Sequence, residues 1–242
     1  MKALVLFLLA AIGLAFLAST RVGNDDLHAI RELADAGQYQ KALDKHLWFH
    51  EESKKAIGMG AVRLSYAISA WVKLGTKYPP ALDALKEIRD TNTEVLLAGT
   101  GTFGNFHELA AINRGLGEGW ATVDLFIALD TTYPAQARSY YSVAEDLLMQ
   151  FGKYESIAKY LDDPVAKFER LRDSRETHLA LAKVNAKLNS PKHLELIDKR
   201  YLERVTNLIS ALSAINRDEE AEVIRTMALA YYPNQEVQLI GL

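Results

Sequence analysis

The sequence contains no cysteine, which removes several kinds of chemistry at the outset. Without cysteine the chain forms no disulfide, holds no metal through thiolates and has no cysteine nucleophile. It also offers no cysteine after its first apolar segment through which a lipid could anchor it. Proline is scarce as well, with 6 in 242 residues, and convincing runs of alternating apolar and polar residues are missing. Because alanine and leucine, both strong helix formers, are abundant, the composition favours a helical protein.

The chain also lacks a strong excess of charge of either sign. Its formal net charge is -3, and it has no basic stripe of the kind that a nucleic-acid-binding protein needs. Hydrophobic residues make up 49% and charged residues 24% of the chain, so it can bury a core and is not disordered. We therefore expect an ordered protein that binds no nucleic acid.

The N-terminus carries the longest uncharged apolar segment, residues 3–18, which follows Lys2 and precedes the polar residues 19–21. A basic start, an apolar stretch and small residues at its end are typical of a secretory signal peptide. The segment is shorter than the ~20 residues that span a bilayer comfortably. We predict a signal peptide over residues 1–20 and a mature protein that is periplasmic or secreted in a bacterial envelope. A retained N-terminal membrane anchor and a buried first helix are the alternatives.

From Asp25 onward, apolar residues recur at intervals of three and four, which is the pattern of amphipathic helices. The longest such stripe runs from Leu194 to Ile215. Glycine, proline and asparagine interrupt the pattern at regular points. The pattern predicts a ladder of antiparallel helices that are joined by short turns.

Several of the predicted turns share a local sequence. Gly37 is followed by Tyr39 and Ala42, and Gly152 is followed by Tyr154 and Ile157. Related turns begin at Gly75, with one additional residue, at Gly117, and at Asn216, where asparagine replaces glycine. Glycine and asparagine tolerate the left-handed conformation that ends many helices, and a small residue lets the second helix approach closely.

These turns resemble those of the tetratricopeptide repeat family, in which each 34-residue repeat is a helix–turn–helix unit. Phe126, Pro134, Ala228 and Pro233 also fall on positions that the family uses in its second helix. The resemblance implies an all-α fold, an α-α superhelix of antiparallel helix pairs over residues 24–235. The turns recur at intervals of 35 to 64 residues, so the array is divergent. We predict that the apolar tail, residues 236–242, packs under the last helix pair or against a neighbouring molecule.

A glycine-rich segment, Gly99-Thr-Gly101-Thr-Phe-Gly104, matches the dinucleotide-binding fingerprint. A nucleotide site of that kind requires several parallel strands, which the sequence does not predict. We interpret the segment as an interhelical loop in which Asn105 caps the following helix.

His46 and His50 lie four residues apart on one helix face and would need a third ligand to hold zinc. We interpret them instead as partly exposed helix residues. Glu108 and Glu118 are the carboxylates near a loop that could serve an envelope enzyme acting on glycans.

Three tryptophans, Trp48, Trp71 and Trp120, lie among apolar neighbours, and we predict that they are core residues rather than a sugar platform. Taken together, the motifs predict no catalytic residue, no metal ligand and no cofactor, and we expect that the protein is not an enzyme.

In the tetratricopeptide family, the first helix of each repeat lines a groove that binds a peptide. The resemblance assigns this role to a set of mostly polar residues at the matching positions. They are Arg31, Asp35, Lys73, His107, Arg114, Asp146 and Gln150. A groove with Arg31, Lys73 and Arg114 favours an acidic peptide or a C-terminal carboxylate. The alternative is that these residues form a solvated face.

The sequence therefore predicts an exported scaffold that binds a protein or peptide partner and has at most a transient or N-terminal association with a membrane. Two alternatives remain open. One is an envelope enzyme that acts on cell-wall or glycan polymers, and the other is a structural protein that assembles through the ends of its helical array.

Overall fold

The computed structural model describes residues 22–186 and 188–239, so the predicted signal peptide over residues 1–20 lies outside the described residues. Within those two ranges the chain folds into helices and contains no strand, which confirms the prediction of an all-α protein. No helix in the described ranges is both long and apolar enough to cross a membrane. In chain order the elements are α1 (Asn24–Asp35), α2 (Tyr39–Lys55), α3 (Gly60–Val62), a π-helical turn (Arg63–Ala67), α4 (Ile68–Gly75), α5 (Pro79–Leu97), α6 (Phe103–Leu116), α7 (Gly119–Thr132), α8 (Pro134–Gln150), α9 (Tyr154–Tyr160), α10 (Pro164–Val184), α11 (Pro191–Ala214), α12 (Asp218–Tyr231) and α13 (Gln235–Leu239).

The described chain divides into two compact units. The first unit ends at Thr91 and also includes residues 114–117, and the second contains residues 92–113 and the chain from Glu118 onward. Helices that follow one another in sequence pack together in both units, for example α1 with α2 in the first and α7 with α8 in the second. This packing agrees with the predicted helix pairs, whereas their superhelical arrangement stays a prediction.

Five helices end in the same backbone turn. The central residue of this turn has a φ of 60° to 76°, and its N–H donates to the carbonyl of the residue three positions earlier. The residue after it donates its own N–H to the carbonyl five positions before itself. The central residues are Gly37, Gly99, Gly117, Gly152 and Asn216. This pair of bonds satisfies two carbonyls that a helix end leaves without an intrahelical partner. The predicted turns at Gly37, Gly117, Gly152 and Asn216 are therefore confirmed.

Gly75 departs from the predicted turn. It is the last residue of α4, and its φ is not in the left-handed region. A Cβ at this position would lie 3.0 Å from the Cβ of Leu82 and 3.3 Å from its backbone nitrogen. Glycine is required here because α4 and α5 approach closely, and not because the backbone adopts a special conformation.

The glycine-rich segment is a tight connection between α5 and α6. A Cβ on Gly99 would lie 2.7 Å from the ring of Tyr133, and one on Gly101 would lie 2.6 Å from Leu96. The prediction that Asn105 caps the next helix was wrong by three residues. Thr102 precedes α6, its hydroxyl accepts the N–H of Asn105, and the side chain of Asn105 accepts the N–H of Thr102. This reciprocal pair has the form of a capping box.

The second unit is organised around stacked aromatic rings. Phe106 lies parallel to Tyr140, with 4.9 Å between ring centroids, and meets Phe126 edge to face. Tyr140 also donates its hydroxyl proton to the carbonyl of Gly101, which fixes the glycine-rich segment on the core. Val237 in α13 is fully buried in the same core, whereas residues 240–242 of the predicted tail lie outside the described residues.

Two matched glycine-to-alanine substitutions in the glycine-rich segment distinguish the effect of a steric contact on stability from the effect of reduced backbone freedom. Gly101→Ala would bring its Cβ 2.9 Å from the Cα of Leu96, so we expect a loss of about 1–3 kcal/mol in the free energy of unfolding. Gly104→Ala meets nothing closer than 3.5 Å and lies inside α6, so we expect stability to be unchanged or higher by up to about 1 kcal/mol. Urea unfolding of both variants measures the difference, and equal stabilities would show that the contact with Leu96 is unimportant.

Candidate partner-binding groove

A groove in the first unit opens between α1, α2 and α4, with a cavity volume of about 350 Å³. Its inner surface is apolar and includes Ile30, Ala34, Ala70 and Leu74. This volume lies at the lower end of the ~300–1,000 Å³ that ligand pockets occupy. The groove therefore has room for one side chain or a small molecule, rather than for a long ligand.

Four charged side chains surround the opening of this groove. Arg31 and Asp35 are one turn apart on α1, Lys73 lies in the last turn of α4, and Lys77 lies in the turn between α4 and α5. All four are exposed. Arg31, Lys73 and Lys77 form no ion pair with another described residue. With three cations and one carboxylate, the opening attracts anions.

His46 forms part of the inner wall of the groove. The prediction that His46 and His50 are partly exposed was wrong. His46 is only 1% exposed and His50 only 2%, because both rings pack on Trp71. The His46 ring stacks on Trp71 at 5.0 Å and 22°, and the His50 ring meets the same indole edge to face at 5.8 Å. Trp71 in turn donates its indole N–H to the carbonyl of Ala81 at 2.7 Å, which holds the indole in place.

Burial also sets the protonation state of His46. Desolvation, and to a smaller degree the neighbouring His50, lower the pKa of His46 from 6.5 to about 4. At neutral pH the ring is therefore uncharged, with one nitrogen that can donate a hydrogen bond and one that can accept it. Neither ring nitrogen of His46 has a hydrogen-bond partner among the described residues.

The groove brings together three of the seven residues that the sequence predicted as partner-binding, namely Arg31, Asp35 and Lys73. Arg114, also in the first unit, is exposed near the end of α6. The next residue is Gly115, where a Cβ would lie 2.6 Å from Ile68 of α4. Arg114 does not line the cavity.

His107, Asp146 and Gln150 belong to the second unit, and the structure does not gather them into one site. Asp146 accepts a hydrogen bond from the buried Lys167 at 2.8 Å and pairs with Arg204 at 3.1 Å. The carboxylate of Asp146 is thus already neutralised inside the second unit. His107 is half-buried, with its ring 5.7 Å from that of Phe103, and Gln150 is exposed at the end of α8.

Sequence reasoning missed three residues of the groove: Lys77, Tyr66 and His46. Lys77 had a signal, because it is a second lysine four residues after Lys73 and next to the predicted turn at Gly75. Tyr66 and His46 had none, since a π-helical turn sets the direction of Tyr66 and a tertiary contact with Trp71 buries His46.

The residues considered for other chemistry lie elsewhere. Glu108 is buried and accepts a hydrogen bond from Asn92 at 2.9 Å, and Asn92 accepts one from Asn105 at 2.8 Å, so Glu108 takes part in packing α5 against α6. Glu118 directly precedes α7 and is half-buried. Among the described residues, no three histidine, aspartate or glutamate side chains lie close enough to hold a metal ion.

Of the three tryptophans, only Trp71 is a fully buried core residue. Trp48 is half-buried, with the amino group of Lys45 over its ring at 4.9 Å. Trp120 is 55% exposed, so the prediction that it lies in the core was wrong. It is the second residue of α7, close to the turn at Gly117.

The low pKa of His46 makes the stability of the protein depend on pH. Between pH 6.5 and about 4 the unfolded chain binds a proton at His46 that the folded chain does not, so the free energy of unfolding falls as the pH falls. The loss amounts to about 3 kcal/mol at pH 4. His46→Phe retains a flat ring against Trp71, and we expect a smaller decrease over this window. Urea unfolding at several pH values measures both slopes, and parallel slopes would contradict the assignment.

Comparisons with models of protein families, with curated proteins and with solved structures found no match for this chain.

Proposed function

We propose that this protein is a helical scaffold that binds an acidic segment of a partner protein or peptide in the groove of its first unit. One observation carries the proposal. Arg31, Asp35 and Lys73 were selected from the sequence as partner-binding residues, and they line the same cavity. Their positions on α1 and α4 are distant in sequence, so this convergence comes from the packing of the first unit.

The chemistry of the groove supports an anionic partner. Arg31, Lys73 and Lys77 are exposed and form no ion pair with a described residue, so their charges are available to a ligand. Exposed charges accelerate association and select the partner more than they add affinity, and salt screens them. The apolar inner wall supplies the area from which most of the affinity comes.

We also propose that the chain is exported and that its helix pairs form a tetratricopeptide-like superhelix over residues 24–235. The basic start and uncharged segment of residues 1–20 support export to the periplasm or beyond the cell. The identical turns at Gly37, Gly117, Gly152 and Asn216 support a repeated helix pair. Contact with a membrane is then transient or confined to the N-terminal segment.

Charge reversal in the groove tests the proposed function. We expect Lys73→Glu and Arg31→Glu each to weaken binding of the partner on the order of tenfold, because an acidic ligand then meets a like charge. Lys192→Glu is the matched control, since it makes the same change at an exposed site on α11 in the second unit. The measurement is a quantitative crosslinking pull-down from the cell envelope, with thermal unfolding to show that each variant folds.

Two outcomes separate the proposal from its alternatives. Loss of the same partner with Lys73→Glu and Arg31→Glu, but not with Lys192→Glu, is the expected result. If all three variants capture the partner as the wild type does, the groove is not the binding surface.

A further inference from the structure

The wall of the groove contains a polar group that its own surroundings do not satisfy. His46 is 1% exposed, and neither of its ring nitrogens has a hydrogen-bond partner among the described residues. A buried polar group without a partner destabilises the folded state, so native structures rarely retain one without a reason. The location of His46 against a cavity, rather than in the closed core, indicates that a ligand atom supplies the missing bond.

The ligand must carry an apolar body. Ile30, Ala34, Ala70 and Leu74 form the surface next to His46, and the His46 ring itself stacks on Trp71. A flat aromatic ring can pack on such a surface with little loss of conformational freedom. The cavity of about 350 Å³ holds one such ring.

The ligand must also carry a hydrogen-bonding tip and an anionic group. The neutral imidazole of His46 offers a lone pair to which a hydroxyl group of the ligand can donate. At the opening of the groove, Arg31, Lys73 and Lys77 favour a carboxylate over an ammonium group. His46 and the three cations line one cavity, so a single small ligand can contact both.

We propose that the groove binds a tyrosine-like anchor: an aromatic ring with a hydroxyl group, next to a carboxylate. The hydroxyl group donates to His46, the ring lies against Ile30 and Leu74, and the carboxylate approaches Arg31 and Lys73. This inference rests on the proposed function, because it identifies the partner's anchor as a tyrosine within an acidic segment. It explains why the chain places a histidine, rather than an apolar residue, in this wall.

Tyr66 lies at the opening of the groove and is suited to contact the bound ring. It is 65% exposed although it is a large aromatic residue, and it belongs to the π-helical turn Arg63–Ala67. A π-helical turn adds one residue to a helical turn and thereby redirects side chains, and such turns often occur at functional sites. The exposed ring of Tyr66 can therefore cover part of an aromatic ligand.

Small probes that differ by one group test the anchor directly on the full-length protein. N-acetyl-tyrosine carries the ring, the hydroxyl group and the carboxylate. N-acetyl-phenylalanine lacks the hydroxyl group, N-acetyl-O-methyl-tyrosine cannot donate from it, and N-acetyl-tyrosine amide lacks the carboxylate. Binding is followed by NMR through the backbone signals of α1 and α4 and the ring nitrogens of His46 at pH 7.

We expect N-acetyl-tyrosine to bind most tightly and to shift the ring nitrogens of His46. The two probes without a donating hydroxyl group should bind about tenfold more weakly, since one hydrogen bond is lost. The amide should bind several-fold more weakly and lose its dependence on salt. In His46→Phe, which retains the flat ring, N-acetyl-tyrosine and N-acetyl-phenylalanine should bind equally. The comparison of the probes on the wild type does not depend on whether this variant folds.

Equal dissociation constants for N-acetyl-tyrosine and its O-methyl derivative on the wild type would overturn the inference, as would the absence of any shift in the groove. If this result accompanies a pull-down that Lys73→Glu still abolishes, the anchor is wrong and the proposed function stands. If the probes bind as expected while Lys73→Glu captures the partner normally, the proposed function alone is overturned.

Discussion

The arrangement of the helix pairs depends on a single residue in the left-handed backbone conformation at the end of the first helix of a pair. Five residues adopt that conformation with the same two hydrogen bonds, and four of them are glycine. Because the next helix starts directly after the turn, its direction is set by this single position. Packing then follows from small residues such as Ala42 and Ala221, which are almost fully buried where paired helices meet. The repeated turn is thus the constraint on which the positions of α1 and α2, and of α8 and α9, depend.

The groove of the first unit is a consequence of that arrangement. The turn at Gly37 folds α2 back on α1, and the buried face of α2 brings His46 and His50 to Trp71 on α4. The indole donates its N–H to the carbonyl of Ala81, and the His46 ring stacks on the indole. The charged opening and the apolar interior therefore belong to one cavity of the first unit.

Local patterns predicted much of this structure, and tertiary contacts decided the rest. Apolar periodicity predicted the helices, and a glycine or asparagine followed by a small residue five positions later predicted the turns at Gly37 and Asn216. The assignment of Arg31 and Lys73 to a partner-binding face came from the resemblance to the tetratricopeptide family and stays a prediction. The burial of His46 could not be predicted, because it depends on Trp71 from another helix. The roles predicted for Gly75 and Asn105 were wrong for a related reason. A glycine near a helix end fits either a left-handed turn or a close approach of two helices, and an asparagine near a helix start fits either of the two positions of a capping box.

The central claim is that the groove between α1 and α4 is the surface that meets the partner. A map of backbone amide shifts, recorded while the full-length protein is titrated with a synthetic peptide of aspartate, glutamate and tyrosine, tests it most directly. The account predicts that the shifts concentrate at Arg31, Asp35 and Lys73 and weaken with added salt. Shifts confined to the second unit, for example around the exposed Trp120, would contradict it.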